Sequence, residues 1–524
     1  SRKYLPRLAS LEERFADEDV AWLYVHPGEL HGPDEIREAA TAGGLRGQLA
    51  HDADETLVAA LEARTTTEVF VLDAARTLRY RGAVDDQYGI GFTRPAPRSE
   101  FLAEALTAIL AERAPRVPAT TAPGCVLDLR DVERPALADT STTQPTWHRD
   151  VARLMQTHCV SCHREDGVAP FPLETYAQAE GRKGMLAYAV ETGIMPPWHA
   201  AEHTGPWIND RSLTEDDRDR LMWWREEGCP EGDPADGPLP QRFPQEWELG
   251  EPDAVYAMAR PYPVPVEGIV DYQYFWVQTD QEEDRWVDAI EVLPGDGRVV
   301  HHVLVFVEEP KQDDETWEQY QRRERGGLRG YFAAYVPGQG ARVFGDGLAK
   351  KLPAGATLKL QMHYTPFGRP ADDQTRVGLH FRDTPPRHEV YTSGVFNTRF
   401  TIPPGASNVE VPASTSFGTD ALVSAFSPHM HLRGKAFRIE LERQGESERE
   451  VLLDVPAYDF DWQTMYTLVE PLRVNQGDTL HATAWYDNSA ANPANPDPRK
   501  TIRFGEQTFD EMMIGYFEWW EADG

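Results

Sequence analysis

The part of the chain that follows Trp247 consists of short runs of alternating apolar and polar residues, and this pattern limits the possible folds most. Runs such as 299–307, 357–364 and 479–486 are each long enough for one strand, and Gly, Pro and Asp turns separate them. Side chains alternate between the two faces of a strand, so each run offers one face to a core. The pattern is typical of β-sandwiches or jelly rolls. We expect two all-β domains, at residues 246–395 and 396–524.

The whole chain is too long for a single core, because 524 residues predict two to four domains. Contents of 14 Trp and 41 Pro favour β-rich domains over helix bundles. No run approaches the roughly 20 apolar residues that cross a bilayer, so we expect no membrane span. The formal charge of −34 repels nucleic acid and anionic lipid. Nucleic acid is therefore not expected as a partner.

Residues 1–130 are predicted to form an α/β domain. Helices are expected over 2–15, 34–42, 56–63 and 102–113, and strands over 20–25, 67–73 and 77–82. This order resembles the later part of a thioredoxin or peroxiredoxin fold. No cysteine precedes Cys125, and Thr67 stands where that fold usually carries a cis-proline. The domain is therefore interpreted as a scaffold or docking domain without an active-site cysteine, and a reactive cysteine upstream of Ser1 is the alternative.

Residues 131–245 contain the motif Cys159-Val-Ser-Cys162-His163. This spacing allows two thioether bonds to a haem, with the adjacent imidazole as an iron ligand. A zinc or redox CxxC is the alternative, but a zinc site of this kind would need a second pair that the four cysteines do not supply. Two prolines follow Met195 and hold it extended as the predicted distal ligand. The segment resembles small cytochromes c, which implies an all-α domain carrying covalent haem c for electron transfer.

Attachment of haem in this way implies assembly outside the cytoplasm. A periplasmic or secreted location is therefore expected, and a membrane tether upstream of Ser1 is left open. In an oxidising compartment Cys125 and Cys229 can form a disulfide, but two unpaired thiols are equally compatible with the sequence.

Six side chains of the β-rich part have the chemistry of metal ligands and form two sets. Two histidines separated by one residue point to the same side of a strand and can share one ion. A thioether is a soft ligand that favours Cu(I), whereas zinc would not select it. For each histidine taken singly, a satisfied core or surface residue is the alternative. The first ligand set is His301, His302 and His363; the second ligand set is His429, His431 and Met512.

The adjacent pair His301 and His302 presents a geometric difficulty, because neighbours in a regular strand face opposite sides. Both can reach one ion only if the strand is irregular there, or if the two rings bind through different nitrogens.

The order of these ligands resembles that of the copper type II ascorbate-dependent monooxygenases, the family of peptidylglycine α-hydroxylating and dopamine β-monooxygenases. The resemblance covers the whole β-rich part and rests on the histidine pair, on Leu-Gln-Met-His363-Tyr, on His429-Met-His431 and on Asp-Glu-Met512. It implies that the first ligand set holds an electron-transfer copper and the second holds the catalytic copper that binds oxygen. It also implies an open, water-filled cleft between the two coppers.

Several positions depart from the peptide-amidating members of that family. Those enzymes grip a peptide carboxylate with an arginine two residues before the His-X-His, where this chain has Ser427. Tyr516 matches one of their substrate-contacting tyrosines. The disulfides of the animal enzymes cannot form here, because no cysteine follows Cys229. The resemblance therefore implies hydroxylation more strongly than peptide amidation.

Together these features predict a copper-dependent monooxygenase that hydroxylates a C–H bond of a small organic or peptide substrate with O2. Two copper ions and one haem c are the expected cofactors, and the haem would replace or relay the usual ascorbate. An external donor, ascorbate or a redox protein, is the further expected partner. A non-catalytic haem and copper electron-transfer or copper-handling protein is the alternative, and a reductase of O2 or a nitrogen oxide is a third.

Overall fold

The structure is a computed structural model. It describes residues 2–28, 32–61, 63–89, 92–94, 96–111, 113–124, 127, 144–165, 167–241, 243, 246–312, 314–316, 318–320, 330–345 and 347–523. Cys125 and the predicted boundary at residues 130 and 131 lie outside these residues, so the pairing of Cys125 with Cys229 stays a prediction. Within the described part of the chain, no helix combines the length and the apolar character needed to cross a membrane.

The N-terminal unit contains the predicted helices and strands, together with three short strands that were not predicted, around a small apolar core. That core includes Leu11, Tyr80 and Leu106. Strands β1 and β2 pair in parallel, whereas β3–β4 and β5–β6 are separate antiparallel pairs. A thioredoxin-like fold needs one central sheet, and residues 2–124 as described form three two-stranded sheets instead, so that resemblance is not supported. A 3₁₀ turn at Arg2–Tyr4 precedes α1 Leu5–Arg14, β1 Leu23–Pro27, α2 Pro33–Ala42, β2 Gln48–Asp52, α3 Thr56–Ala60, β3 Val69–Leu72, β4 Leu78–Gly82, β5 Tyr88–Gly89, β6 Phe92–Thr93 and α4 Phe101–Leu110.

In the next unit, residues 144–241, every element of regular secondary structure that the structure describes is a helix or a helical turn. Trp147, Met155, Leu221 and Trp224 form its core. The last long helix of this unit begins after Thr214, whose side chain caps it by accepting a hydrogen bond from the backbone amide of Asp217. A cytochrome fold as such stays a prediction. The helices are α5 Ala152–His158, α6 Tyr176–Glu180, α7 Lys183–Glu191 and α8 Glu215–Glu226, with single turns at Trp147–Val151 and Pro234–Asp236.

The first β domain is a sandwich of two sheets. One sheet has the order β18-β14-β10-β17-β7, with β13 beside β10, and the other has the order β12-β11-β15-β9. Their inner faces share one apolar core that includes Val303, Leu358 and Val377, as the alternating pattern predicts. The strands are β7 Ala254–Ala257, β8 Tyr262–Val264, β9 Gln273–Gln278, β10 Arg285–Leu293, β11 Val300–Glu308, β12 Tyr331–Tyr335, β13 Arg342–Val343, β14 Leu348–Leu352, β15 Thr357–Tyr364, β16 Ala371–Asp373, β17 Arg376–Arg382 and β18 His388–Glu389.

The second β domain is also a sandwich, with sheets β19-β28-β22-β25 and β21-β26-β23-β24. Strand β19 pairs along its whole length with β28. The domain therefore starts no later than Tyr391, and the expected boundary at residues 395 and 396 would cut this strand. Its strands are β19 Tyr391–Phe396, β20 Thr401–Ile402, β21 Val409–Ser416, β22 Ala421–His429, β23 Gly434–Glu442, β24 Arg449–Val455, β25 Tyr466–Val474, β26 Thr479–Tyr486, β27 Ile502–Arg503 and β28 Ile514–Glu521.

A buried ion cluster joins the two β domains. The ammonium of Lys350 on β14 lies 3.0 Å from Glu518 on β28, and Arg342 also binds this carboxylate. Burial by itself would raise the pKa of Glu518, but the two cations outweigh it and lower the pKa to about 2. The carboxylate is therefore ionised and ties both domains together.

The helical unit is fixed to both β domains. Its segment 201–209 runs along the edge strand β25, where the amide of Ile208 donates to the carbonyl of Thr467 at 2.8 Å. The Trp207 side chain enters the core of the second domain. On the other side, Arg211 donates to the carbonyl of Gly338 in the first domain. The CxxCH segment is thereby held against the two sandwiches.

Candidate metal and haem sites

The first ligand set forms where β11 and β15 pair. His302 lies opposite His363 in the register, and the pairing is irregular between Val300 and His302. This irregular strand is one of the two arrangements that the sequence allowed for the adjacent histidines. The Nδ1 atom of His301 lies 3.0 Å from that of His302 and 3.2 Å from that of His363. Three imidazole nitrogens therefore converge on one point.

The chemistry of the first ligand set fits a bound metal ion. Ligand nitrogens about 2.0 Å from a tetrahedral ion lie about 3.3 Å apart, close to the separations found here. Burial, and then the neighbouring rings, lower the pKa of His302 and of His363 well below the ordinary value. Both rings are therefore neutral, as imidazole ligands must be.

The second ligand set begins at the end of β22. His429 and His431 are both buried, and their ring centroids lie 5.3 Å apart. The Nδ1–H of His429 donates to Oε1 of Gln463 at 2.7 Å, which leaves Nε2 free to bind a metal. Among the described residues, no group forms a well-oriented hydrogen bond with either ring nitrogen of His431, although the backbone of Gln507 and Asp510 lies near the ring. Since buried polar atoms are rarely left without a partner, this ring fits a ligand position.

Met512 follows Glu511, whose side chain is hydrogen-bonded to the backbone around His431. The Glu511 carboxylate accepts the amides of His431 at 2.8 Å and Arg433 at 2.7 Å. Ile514, two residues beyond Met512, pairs with His429. The chain that carries the thioether therefore runs beside the chain that carries the two imidazoles.

The two ligand sets lie close together. The ring centroids of His302 and His429 are 6.4 Å apart. Tyr272 contacts both sets, with its ring 5.1 Å from His363 and 6.0 Å from His431. The open, water-filled cleft that the resemblance implied is therefore not seen; the domain interface brings the imidazoles of both sets into one cluster.

Residues 458–463, here called the 458–463 loop, contact both ligand sets. The ring of Phe460 stacks on His301 with a centroid distance of 5.3 Å, and it lies 6.1 Å from His431. The Nε2–H of His301 donates to Asp461 at 3.1 Å. No sequence motif marks this loop, and Asp461 lies 160 residues from His301 along the chain, so its role was not predicted.

The predicted haem ligands line one cavity of about 420 Å³. Cys159, Cys162, His163 and Met195 all form its wall. The Nδ1–H of His163 donates to the carbonyl of Phe171 at 3.0 Å, which leaves Nε2 free to bind iron. Burial lowers the pKa of His163, so its ring is neutral. The residues present fit a haem attached at this motif.

The same cavity reaches the first ligand set. His301 and His363 contribute to its wall together with Phe460, Asp461 and Trp462. The predicted haem position and the first ligand set therefore face one continuous space.

Tyr516 lies inside the interface between the β domains. It is buried, its ring is 4.8 Å from Tyr331, and it lies 6.4 Å from His429. Ser427, which replaces the arginine of the amidating enzymes, pairs with Tyr516 across the strands. A role for Tyr516 in substrate contact stays a proposal.

Comparison with protein families gives one match. Residues 389–523 match the model of the copper type II ascorbate-dependent monooxygenase, C-terminal domain. This stretch is about a quarter of the chain and contains the whole second ligand set. The match supports a copper-dependent monooxygenase at the level of the family. No curated protein matches the chain.

Similar solved structures are distant. An uncharacterized conserved protein from Geobacillus kaustophilus is 19% identical over 25% of this chain and 71% of its own, with a TM-score of 0.22. The major capsid protein P2 of bacteriophage PM2 is 10% identical over 52% of this chain and 98% of its own, with a TM-score of 0.22. Allantoicase from Saccharomyces cerevisiae is 8% identical over 50% and 80%, with a TM-score of 0.16. At such scores these similarities carry no argument.

Proposed function

We propose that the protein is a copper-dependent monooxygenase that hydroxylates a C–H bond of an organic substrate with O2 and receives electrons through a fused haem c. The family match supports the copper chemistry. The observation that carries the proposal is the single cavity whose wall contains both the haem-attachment motif and two histidines of the first ligand set. A haem attached at this motif would share that cavity with two residues of the first ligand set.

The reaction needs electrons from a donor other than the substrate. Insertion of one oxygen atom of O2 into a C–H bond, with reduction of the other atom to water, consumes two electrons and two protons from outside the substrate. Haem iron carries one electron at a time, so the haem would be reduced and re-oxidised twice in each turnover. Copper, when bound, would supply the one-electron redox chemistry and the activation of O2.

The chain's own residues have separate roles in this proposal. The first ligand set holds the copper that receives electrons, and the second ligand set, His429, His431 and Met512, holds the catalytic copper. The rings of His302 and His431 are buried and neutral, so they could bind copper at positions shielded from solvent. Cys159 and Cys162 attach the haem, whose iron is held by His163 and Met195.

The partners and location follow from the same proposal. O2 and a small organic or peptide substrate would react at the second ligand set, with Tyr516 as a candidate substrate contact. Ascorbate or a redox protein would reduce the haem. Covalent haem attachment implies a periplasmic or secreted protein.

The test combines cofactor content with oxygen consumption. We expect two copper ions and one haem per chain, and a screen of organic substrates should find O2 uptake that matches the hydroxylated product one to one. Correct cofactor content with no uptake for any substrate would instead favour a non-catalytic electron-transfer or copper-handling protein.

A further inference from the structure

We propose that Asp461 and Gln463 are positioning residues, each fixing the ring of one histidine, so that the 458–463 loop aligns the two copper sites independently. This inference rests on the proposed function, because it assumes that both ligand sets bind copper. It assigns a role to residues that neither the motifs nor the family match single out.

Asp461 fixes the first ligand set through His301. Its carboxylate accepts the Nε2–H of His301 at 3.1 Å, so the Nδ1 lone pair faces His302 and His363. A carboxylate that is hydrogen-bonded to the far nitrogen of a ligand imidazole fixes the tautomer and raises the basicity of the ligand nitrogen.

Gln463 fixes the orientation of His429 in the second ligand set. Its Oε1 accepts the Nδ1–H of His429 at 2.7 Å, and its Nε2 donates to the carbonyl of Phe460 at 3.3 Å. Because both ends of the amide are used, the amide cannot rotate without losing a bond. His429 is therefore held with Nε2 toward the second site, the opposite ring nitrogen from the one that His301 presents.

The loop itself is anchored between the two histidines of the second set. The Tyr458 hydroxyl donates to the carbonyl of Met430 at 2.9 Å and accepts its amide at 3.1 Å. Within the loop, the Asp459 carboxylate accepts the amide of Asp461 at 2.9 Å. The backbone that carries Asp461 and Gln463 is therefore held in place by these hydrogen bonds.

The experiment measures Cu(I) affinity by competition with a chromogenic chelator in single-site proteins. The His431→Ala variant retains the first ligand set, and the His302→Ala variant retains the second. Adding Asp461→Ala should weaken binding about 10 to 100-fold in the first background and leave it unchanged in the second. Adding Gln463→Leu should weaken Cu(I) binding in the His302→Ala background and leave it unchanged in the His431→Ala background.

Two further variants separate positioning from folding and charge. Asp461→Asn keeps the shape and an acceptor oxygen but removes the charge, so we expect a smaller loss than for Asp461→Ala. Glu470→Gln removes an exposed carboxylate from β25 in the same domain and should leave both affinities unchanged. Electron paramagnetic resonance of the Cu(II) proteins should show altered parameters only for the site whose positioning residue is changed, and haem absorbance reports folding.

The outcomes separate this inference from the proposed function. Copper binding that is unmoved by either loop variant, or that is weakened equally at both sites, would overturn the positioning roles alone. A native chain that binds no copper would overturn the proposed function and this inference together.

Discussion

At the scale of single residues, the second ligand set depends on which of two neighbouring methionines is the ligand. Met513 is fully buried in the core of the second β domain, whereas Met512 is only partly buried and packs at the interface of the two domains. A thioether that binds a metal and a thioether that fills a core respond differently to substitution.

Met512→Ile should abolish substrate hydroxylation while reduction of the haem by an external donor proceeds as in the native protein, because only the soft sulfur ligand is lost. The measurement is product formation beside haem absorbance. Met513→Ile is the matched control, since it is a hydrophobic exchange of similar volume that costs less than about 1.5 kcal/mol of stability. If Met512→Ile keeps full activity, the sulfur has no role at the catalytic site.

Residue patterns predicted the candidate ligands but could not predict their surroundings. Spacing and residue type were enough to select the histidines, the two cysteines and Met512. Asp461 and Gln463 have no such signature, because a carboxylate or amide becomes a partner of a distant imidazole only after two domains have folded and met. The bulge before His302 is likewise a product of strand pairing.

At the scale of secondary structure elements, the contact between β14 and β28 fixes the domain interface. The lowered pKa of Glu518 means that its ionised form stabilises the folded state. That contribution is complete above the ordinary pKa of about 4.5 and is lost as the pH falls toward 2.

Glu518→Gln should lower the free energy of unfolding by about 3 kcal/mol at pH 7, because it leaves Lys350 and Arg342 without their carboxylate. The difference from the native protein should shrink as the pH falls below about 4.5. Denaturant unfolding at several pH values measures both effects. The exposed Glu521→Gln on the same strand is the control, and a deficit that stays constant down to the lowest pH would contradict the assigned role.

Three strands lie within one residue of the alternating runs 299–307, 357–364 and 479–486, and the four helices expected in the N-terminal unit end within three residues of their expected positions. The sequence did not predict how the N-terminal strands pair, since a local pattern indicates a strand but not its partner. The boundary between the sandwiches was placed too late because β19 pairs with β28, which lies at the other end of the domain.

At the scale of the whole molecule, the proposed electron transfer requires the unit with the CxxCH motif to be held against the first β domain. Gly338 marks the contact, since a Cβ there would lie 2.6 Å from the sulfur of Cys162. Gly345 also has a positive φ, but a Cβ there would meet nothing within 4 Å.

Gly338→Ala should therefore destabilise the protein by about 1–3 kcal/mol more than Gly345→Ala, because both share the backbone strain but only the first overpacks a contact. It should also slow electron transfer from the haem to copper, as the two units are forced apart. Thermal unfolding and rapid-mixing absorbance provide the two readouts. Equal behaviour of the two variants would show that this contact does not hold the haem unit in place.

The most direct measurement is the re-oxidation of reduced haem after rapid mixing with O2 and substrate, made on copper-loaded and copper-free protein. We expect the haem to re-oxidise rapidly only when copper is bound, with two electrons withdrawn for each product formed. Haem that stays reduced in the copper-loaded protein, or that re-oxidises equally fast without copper, would contradict it.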